Sequence, residues 1–402
     1  MNILMVSATF PYPPTRGGTP IRTFNLLRHL KENGHRVALA TLRTGDITDE
    51  EVTALEGWVD ELAIFTRPPN PPSDALSKVN RLVTSLVTAT PASVSGAHSA
   101  EMQSWIDQQI TSGKYDAIAC EHCVNESYVP ANVAQHIPVS VVNIHSSVYG
   151  TCAHQLKGGV AERPWRDRIN LNLLKRYEQR YTQKFSHLVV TTEDDRAQIA
   201  ELSGKDAIFV IPNGVDLDVF TPRTADPGGH SLVFVGVMDN LPNIDAATFL
   251  ATEILPNVQQ RYPDATLSLV GARPVPAVEA LGEIAGVTVT GKVPEMVPYL
   301  HGATVCVVPM RTGYGIKNKT LEAMAAGVPV VASDRGLEGL AISETTALRA
   351  NTVEEYVAAI GKLFDSLDLR QQLAENGRAL IEQEFTWKIA GDRYEKVLSG
   401  AV

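Results

Sequence analysis

The sequence predicts an α/β fold made of two domains, each built around a parallel sheet. The chain has 402 residues, which is long for one α/β core and favours two domains. Buried-looking, valine-rich segments alternate with helical segments along the whole chain, and this alternation is typical of parallel sheets with right-handed crossovers. A stretch rich in Pro, Gly, Asp and Thr, residues 212–229, separates two such series. We therefore place a first domain at 1–212 and a second at 213–385.

The first half begins with an apolar strand and continues through six more. Between the strands, Gly34 is placed to end a first helix. The segment 73–88 shows the apolar spacing of an amphipathic helix, which we expect to face the core, with a membrane anchor as the alternative. The predicted strands are 3–7, 37–41, 62–65, 117–120, 139–144, 188–192 and 208–211, and the predicted helices are 20–33, 73–88, 164–185 and 193–202.

The second half repeats the pattern with shorter segments. The predicted strands are 232–235, 266–270, 287–289, 304–308 and 328–332, and the predicted helices are 244–261, 277–281, 296–300, 320–326 and several after 353.

One stretch of the second half, residues 307–336, carries the strongest sign of a ligand site. A buried strand is followed by a glycine-containing loop, then Lys317 and Lys319, then a helix that Gly327 can end. The N–H groups at a helix N-terminus, its positive dipole end and the two lysines all favour a phosphate. Glu322 lies on the same helix, where its carboxylate can accept hydrogen bonds from ribose hydroxyls. The stretch predicts a nucleotide-diphosphate site.

The first half offers a second group of candidates at its strand ends. Gly17 and Gly18 precede the first helix and Arg22 lies near its start, so backbone and guanidinium could approach a ligand; the alternative is that the glycines only form the turn. His122 and His145 each follow a buried strand, and ligands of open α/β sheets bind beyond the carboxyl ends of strands. His145 is the stronger candidate, with a structural role as the alternative for both.

Charge and composition limit the partners. A formal net charge of −10 argues against nucleic acid. The start of the chain resembles a strand rather than a signal peptide, no apolar run reaches the ~20 residues of a membrane span, and four cysteines suggest reduced thiols. We therefore expect a cytoplasmic protein. Residues 157–184 hold eight Lys/Arg and three Asp/Glu, which could face an anionic membrane or a phosphorylated acceptor, or simply form a solvated helix face.

Two short patterns suggest metal sites, but each is weak. Cys120 and Cys123 form a CxxC without a second ligand pair, so zinc or redox chemistry is not expected. Asp216 and Asp218 have the DxD spacing of metal-dependent transferases, but they follow a turn at the domain boundary and are expected to be structural. We predict no metal and no cofactor.

Four segments in order give the chain a family resemblance. They are FPYPPTRGGTPIR near the start, IPNGVD at 211–216, FVGVMDNLPNIDA at 234–246 and GYGIKNKTLEAMAAGVPVVAS from Gly313. With this spacing the chain resembles retaining GT-B glycosyltransferases of family 4 over nearly its full length. The resemblance implies two Rossmann-like domains that face each other across a cleft, with a terminal helix, 386–402, crossing back to the first domain. The first domain would bind the acceptor and the second the nucleotide-sugar.

The resemblance also assigns roles to individual residues. Glu322 matches the second glutamate of the family's Glu-x7-Glu motif, which holds the donor ribose, and His145 matches the histidine near the donor sugar. Together with Lys317 they form the predicted catalytic group. The predicted nucleotide-sugar-binding residues are Gly17, Gly18, Arg22, Gly236, Arg311, Tyr314, Gly315, Lys317, Asn318, Lys319, Thr320 and Glu322.

The chain departs from the family pattern at two places. The first glutamate of the motif is replaced by Tyr314, and the Arg and Lys that usually follow the first strand of the second domain are missing. Because a diphosphate needs cations in a metal-free site, Arg311, Lys317 and Lys319 are the expected replacements.

The implied reaction moves a hexosyl or N-acetylhexosaminyl group from a nucleotide-diphosphate sugar to an acceptor hydroxyl with retention of configuration. The acceptor would be a saccharide, a lipid-linked saccharide or a small-molecule hydroxyl, and the enzyme could associate peripherally with the inner membrane face. The alternatives are a nucleotide-sugar 2-epimerase of the same fold and a non-catalytic sugar-nucleotide binder. A dehydrogenase is disfavoured because Val6-Ser-Ala-Thr-Phe lacks the glycines of a dinucleotide loop.

Overall fold

The structure is a computed structural model of the chain and describes residues 1–69, 90, 98–157, 164–313 and 315–401. It divides into two compact units. The first comprises Met1–Pro212 together with Ala390–Val402, and the second comprises Asn213–Ile389. The end of the chain is therefore packed within the unit that contains its beginning.

In the described part of the first unit, a seven-stranded parallel sheet has the order β3-β2-β1-β4-β5-β6-β7. Its inner strands are almost wholly buried, and their side chains form much of the core of this unit. The strands are β1 (Asn2–Ser7), β2 (Arg36–Arg43), β3 (Glu61–Thr66), β4 (Ala117–Glu121), β5 (Val139–Asn143), β6 (His187–Val190) and β7 (Ile208–Val210).

Helices connect these strands. Thr48 and Glu51 form a capping box at the start of α2, which stabilises an otherwise short and acidic helix. The helices are α1 (Gly18–Glu32), α2 (Asp49–Glu56), α3 (Ala100–Thr111), α4 (Val148–Lys157), α5 (Pro164–Thr182) and α6 (Glu193–Ser203), with 3-10 turns at Pro14–Arg16, Cys123–Tyr128 and Val133–Gln135.

In the described part of the second unit, a six-stranded parallel sheet has the order β10-β9-β8-β11-β12-β13. Its strands are β8 (Ser231–Val235), β9 (Thr266–Val270), β10 (Val287–Val289), β11 (Val305–Val308), β12 (Val330–Ala332) and β13 (Leu348–Arg349). Its helices are α7 (Leu241–Phe249), α8 (Leu255–Gln259), α9 (Pro276–Glu279), α10 (Val297–His301), α11 (Asn318–Ala325), α12 (Val353–Asp365) and α13 (Leu367–Glu384), and α14 (Trp387–Leu398) leads from this unit back into the first.

The alternating strands and helices predicted from the sequence are confirmed, with differences at some boundaries. The predicted helix 244–261 is α7 and α8 joined by a π-helical turn, Leu250–Ile254. The helix after the glycine loop begins at Asn318 rather than at 320, so Lys319 lies in its first turn. Helices α2, α3 and α4 and the short strand β13 were not predicted, and the predicted helix 73–88 lies outside the described residues.

Strand order decides which loops meet in each unit. Strands β8 and β11 are neighbours, and so are β4 and β5. Because parallel strands end at the same edge of a sheet, the segments after β8 and β11 form one group in the second unit. The segments after β4 and β5 form the corresponding group in the first.

Candidate functional site

In the second unit, the first turn of α7, which follows β8, contacts the first turn of α11 through the ammonium group of Lys319. Nζ of Lys319 donates a hydrogen bond to Oδ1 of Asn243 at 2.6 Å, and Nδ2 of Asn243 donates to the carbonyl of Val237 at 2.8 Å. A Cβ atom on Gly236 would lie 2.9 Å from both Nζ of Lys319 and Nδ2 of Asn243. Glycine at 236 therefore leaves the space in which the lysine and the asparagine meet.

The surroundings of Lys319 weaken its hold on its proton. Its ammonium lies 4.3 Å from the ring centroid of Phe234 and 3.9 Å from the sulfur of Met310. Burial lowers the pKa of Lys319 to about 7, against the opposing attraction of Glu322. An anion bound beside this ammonium would favour its charged form.

Glu322 lies on the same helix, one turn beyond Lys319, and is half-buried. Burial raises the pKa of its carboxyl group to about 7, and the charge of Lys319 opposes this shift. Among the residues that the structure describes, none forms a hydrogen bond with this carboxylate, so its oxygens can accept hydrogen bonds from hydroxyl groups of a ligand.

Lys317 is more buried than Lys319, and its side chain forms contacts within the glycine loop. Its Nζ lies 3.1 Å from Oε2 of Glu338 and donates to the carbonyl of Gly315, and both charged side chains are buried. Glu338 also accepts from Arg335 at 2.8 Å. Lys317 therefore holds the glycine loop in shape, and its ammonium is already neutralised by a carboxylate.

The other predicted residues of this unit have diverse surroundings. Arg311 makes a two-point ion pair with Asp245 and lies over the ring of Phe249 at 4.6 Å, so a phosphate would have to compete with that carboxylate. The hydroxyl of Thr320 is buried and donates to the carbonyl of Gly336 at 2.7 Å. Oδ1 of Asn318 accepts from Nδ2 of Asn213 at 2.8 Å.

The glycine loop has a backbone conformation that requires glycine at two positions. Gly313 and Gly315 have φ values of 94° and 74°, in the left-handed region that favours glycine. Tyr314, between them, lies outside the described residues.

In the first unit, four buried polar side chains form a chain of hydrogen bonds. Nε of Arg22 donates to Oδ1 of Asn143 at 3.1 Å, and Nδ2 of Asn143 donates to Oε2 of Glu121 at 2.9 Å. The hydroxyl of Tyr394, on α14, donates to the other oxygen of Glu121. Burial lowers the pKa of Arg22 to about 10, which leaves the guanidinium charged at neutral pH.

The two candidate histidines lie together beside this network. The rings of His122 and His145 have centroids 4.9 Å apart, and Nε2 of His145 lies 4.0 Å from Oε2 of Glu121. Burial lowers the pKa of His122 to about 3 and that of His145 well below its usual range, so both imidazoles are neutral at pH 7. Among the described residues, no group forms a hydrogen bond with the buried Nε2 of His145.

The glycine pair lies at the start of the same unit. Gly17 has a φ of 151° and immediately precedes α1, and Gly18 is the first residue of that helix. Neither glycine has an atom within 4 Å of the place where a Cβ would stand. The structure thus brings Arg22 and His145 to one network through Asn143 and Glu121, and the glycines lie at the start of α1, about one helical turn before Arg22.

The two weak metal patterns are explained by local structure. Oδ1 of Asp216 accepts from the backbone N–H of Asp218 at 3.1 Å, which makes a turn. Cys120 and Cys123 are buried, and burial raises the pKa of both thiols. Across the described ranges, no three His, Cys, Asp or Glu side chains come together in a way that could hold a metal ion.

Four residues of these groups were not predicted: Glu121, Asn143, Tyr394 and Asn243. Asn143 interrupts an apolar strand two residues before His145, and Glu121 directly precedes His122, so a polar residue within a buried strand was the available signal. Asn243 and Tyr394 gave no such signal, because each acts on a residue far away in sequence.

Comparison with known proteins agrees with this architecture. A family model described as Glycosyltransferase Family 4 matches residues 16–219, and one described as Glycosyl transferases group 1 matches residues 229–366.

None of the helices in the described ranges is long and apolar enough to cross a membrane.

Curated relatives match over part of their length. The chain is 28% identical over 211 residues to a GDP-mannose-dependent monoacylated alpha-(1-6)-phosphatidylinositol monomannoside mannosyltransferase of Corynebacterium glutamicum, covering 47% of this chain and 55% of that protein. It is 28% identical over 257 residues to a D-inositol 3-phosphate glycosyltransferase of Paenarthrobacter aurescens, covering 56% of this chain and 60% of that protein. The chain thus spans just over half the length of these two relatives.

Solved structures match over the whole chain and show its fold. Sucrose-phosphate synthase from Thermosynechococcus elongatus superimposes with a TM-score of 0.71 at 19% identity, covering 100% of this chain and 98% of that one. Anabaena HepE in complex with UDP superimposes with a TM-score of 0.70 at 15% identity, covering 100% of both chains. The two Rossmann-like α/β units thus make up a GT-B fold. With one family model covering half of the sequence and a second covering much of the rest, the chain belongs to glycosyltransferase family 4.

Proposed function

We propose that this protein is a retaining glycosyltransferase that takes its sugar from a nucleotide-diphosphate donor bound by the second unit. The observation that carries the proposal is the contact of Lys319 with Asn243 beside Gly236, one helical turn from the carboxylate of Glu322. The cation and the helix N-terminus fit a diphosphate, and the carboxylate one turn further along the helix fits the hydroxyl groups of the ribose that follows it.

The chemistry of the proposed site concerns the leaving group. As the bond between the anomeric carbon and the diphosphate breaks, negative charge accumulates on the phosphate oxygens. The ammonium of Lys319 and the first N–H groups of α11 would stabilise that charge, and removing one such contact typically raises a barrier by about 2.7–4 kcal/mol. The loop held by Lys317 and Glu338 would keep these donors in position.

The first unit would bind the acceptor. The neutral imidazole of His145, which the family resemblance assigns to the donor sugar, can exchange a hydrogen bond with a hydroxyl of that sugar through its buried Nε2. The charged guanidinium of Arg22, held by Asn143, would set the electrostatic field beside it. In a retaining transfer of this kind the departing phosphate oxygen takes the acceptor proton, so the proposal assigns no general base.

The substrates are proposed from chemistry and from the relatives. The Corynebacterium relative is named for GDP-mannose and a phosphatidylinositol mannoside, and the HepE structure contains UDP. We infer a UDP- or GDP-hexose, or N-acetylhexosamine, donor and an acceptor hydroxyl on a saccharide, a lipid-linked saccharide or a small molecule. A cytoplasmic enzyme that visits the inner membrane face would reach a lipid-linked acceptor.

Calorimetry with GDP and UDP tests the donor site. Lys319→Met should weaken binding of the preferred nucleotide at least tenfold, because it removes the ammonium, whereas Lys292→Met, an exposed lysine of the same unit, should not change it. Lys317→Met should weaken binding only if the loop changes shape, so its effect should be accompanied by lower thermal stability. Equal affinities of the Lys319→Met variant and the unmodified protein would overturn the proposal.

The reaction is tested by its product. Proton NMR of the product of a donor screen should show the anomeric configuration of the donor retained, and activity should survive EDTA. Inversion would contradict the retaining assignment. Interconversion of donor epimers at C2 without any acceptor would instead identify an epimerase.

A further inference from the structure

The outer face of helix α5 in the first unit exposes two large apolar side chains. Trp165 is 69% exposed and Ile169 is 67% exposed, and they stand four residues apart on one side of the helix. Six large apolar side chains are exposed among the described residues, and these two are the pair that shares a helix. Exposed apolar side chains are common when single, and here a tryptophan and an isoleucine on one helix face form a small apolar patch.

Basic residues surround this pair. Arg166, Arg168, Lys175, Arg176 and Arg180 are all exposed on α5. Within the described ranges, no carboxylate forms an ion pair with Arg168, Lys175 or Arg176. In a protein whose formal net charge is −10, this helix surface is a local region of positive charge.

The acidic residues of α5 are turned away from the exposed face. Glu178 is fully buried and accepts from the hydroxyl of Ser147 and the N–H of Val148, each at 2.7 Å. The carboxyl group of Asp167 is 18% exposed and lies 3.5 Å from Nε of Arg166. Of the two helices that pack against α5, α4 contains no acidic residue, whereas α6 carries the exposed Glu193, Asp194 and Glu201. A helix face that is merely solvated usually mixes charges of both signs, and this one does not.

We propose that the outer face of α5 binds a membrane surface rich in anionic phospholipid headgroups. Trp165 and Ile169 would enter the boundary between headgroups and acyl chains, and the arginines and lysine would neutralise the phosphates. This proposal rests on the proposed function in one respect: membrane binding would bring a lipid-linked acceptor to the first unit. Its test uses neither donor nor acceptor.

Flotation with lipid vesicles tests the proposal on the full-length protein. The protein should bind vesicles made from equal amounts of phosphatidylcholine and phosphatidylglycerol, should bind pure phosphatidylcholine far more weakly, and should be released as salt rises. Inorganic phosphate should compete no better than sodium chloride of equal ionic strength, since the partner is a surface and not a single phosphate. Displacement by phosphate alone would indicate a phosphate-binding site and overturn the proposal.

Paired variants separate the two contributions. Each basic residue near an anionic surface raises the membrane partition coefficient of a protein about fivefold. The double variant Arg168→Glu, Arg176→Glu should therefore bind anionic vesicles about 25-fold more weakly, or weaker still. Trp165→Ser with Ile169→Ser should lower binding to anionic vesicles even at low salt. Lys362→Glu and Leu367→Ser, which change exposed residues of the second unit, serve as controls for charge and for apolar exposure.

Each result supports or overturns the proposal. Because the altered side chains are exposed, all variants should keep the melting temperature of the unmodified protein. They should also keep its affinity for GDP or UDP, so loss of vesicle binding with intact nucleotide binding supports the α5 surface. Vesicle binding that is unchanged in both α5 double variants would overturn it, whatever the outcome of the donor experiments.

Discussion

The ammonium of Lys319 and the side-chain carbonyl of Asn243 meet at 2.6 Å, across 76 residues of sequence. We expect Asn243→Ala to leave Lys319 without its partner and to weaken nucleoside diphosphate binding about tenfold, because the ammonium is no longer held beside Gly236. Calorimetry with the preferred nucleotide measures this. Asn257→Ala, an exposed asparagine on the neighbouring helix, is the matched control and should bind as the unmodified protein does.

Binding of an anion should depend on pH in a direction set by Lys319. Its pKa is lowered to about 7 by burial, so above pH 7 the ligand-free protein is largely uncharged at this position and must take up a proton to bind diphosphate. The affinity for pyrophosphate should therefore fall about tenfold per pH unit between about pH 7.5 and 8.5.

The titration of Glu322 must be removed for this measurement, because burial raises the pKa of that carboxyl group to about 7 as well. We would therefore measure pyrophosphate affinity in the Glu322→Gln background, with and without Lys319→Arg. Arginine stays charged throughout, so its variant should show a flat profile. A slope that persists with arginine would assign the proton to another group.

Glu322 itself should distinguish ribose from phosphate. Glu322→Gln should weaken nucleoside diphosphate binding by about tenfold, since hydrogen bonds to a charged group contribute about 1.5–3 kcal/mol. Pyrophosphate, which has no hydroxyls to offer, should bind equally well or better. Calorimetry with both ligands checks this, and Glu344→Gln is an exposed control. Equal losses for both ligands would remove the ribose role.

The buried contact between Tyr394 and Glu121 should matter for stability. Tyr394→Phe deletes the hydroxyl that donates to a fully buried carboxylate, and leaving a buried acceptor unsatisfied costs about 1–3 kcal/mol. The midpoint of urea unfolding of the first unit, followed by a probe in that unit, should fall accordingly. Tyr299→Phe, at a 38% exposed position of the second unit, should leave it unchanged.

Local sequence was sufficient to predict the glycine loop, the helix behind it, Lys319 next to the start of that helix and Glu322 on it; the helix itself begins at Asn318, two residues earlier than predicted. These features depend on glycines, on apolar spacing and on residues within about a dozen positions of each other. The sequence did not reveal that the two lysines have different roles, with Lys317 paired to a carboxylate and Lys319 bound to an asparagine. Lys317 is neutralised by Glu338, 21 residues later, and only strand order brings Asn243 to Lys319.

The hydrogen-bond network of the first unit shows the same limit. The polar ends of β4 and β5 made His122 and His145 candidates, because those strands were predicted to end there. That Glu121 would link Arg22, through Asn143, to a tyrosine 273 residues further along the chain required the fold itself. Short elements such as β13 escaped prediction because two residues carry no periodic pattern.

The return of Ala390–Val402 to the first unit also bears on the order of events during synthesis. Domains generally fold as the ribosome releases them, amino-terminal ones first. Here the carboxylate of Glu121 cannot accept its hydrogen bond from Tyr394 until that residue has been synthesised, which happens only after the whole second unit. The first unit is therefore incomplete until residues 390–402, which follow the whole second unit, have been synthesised.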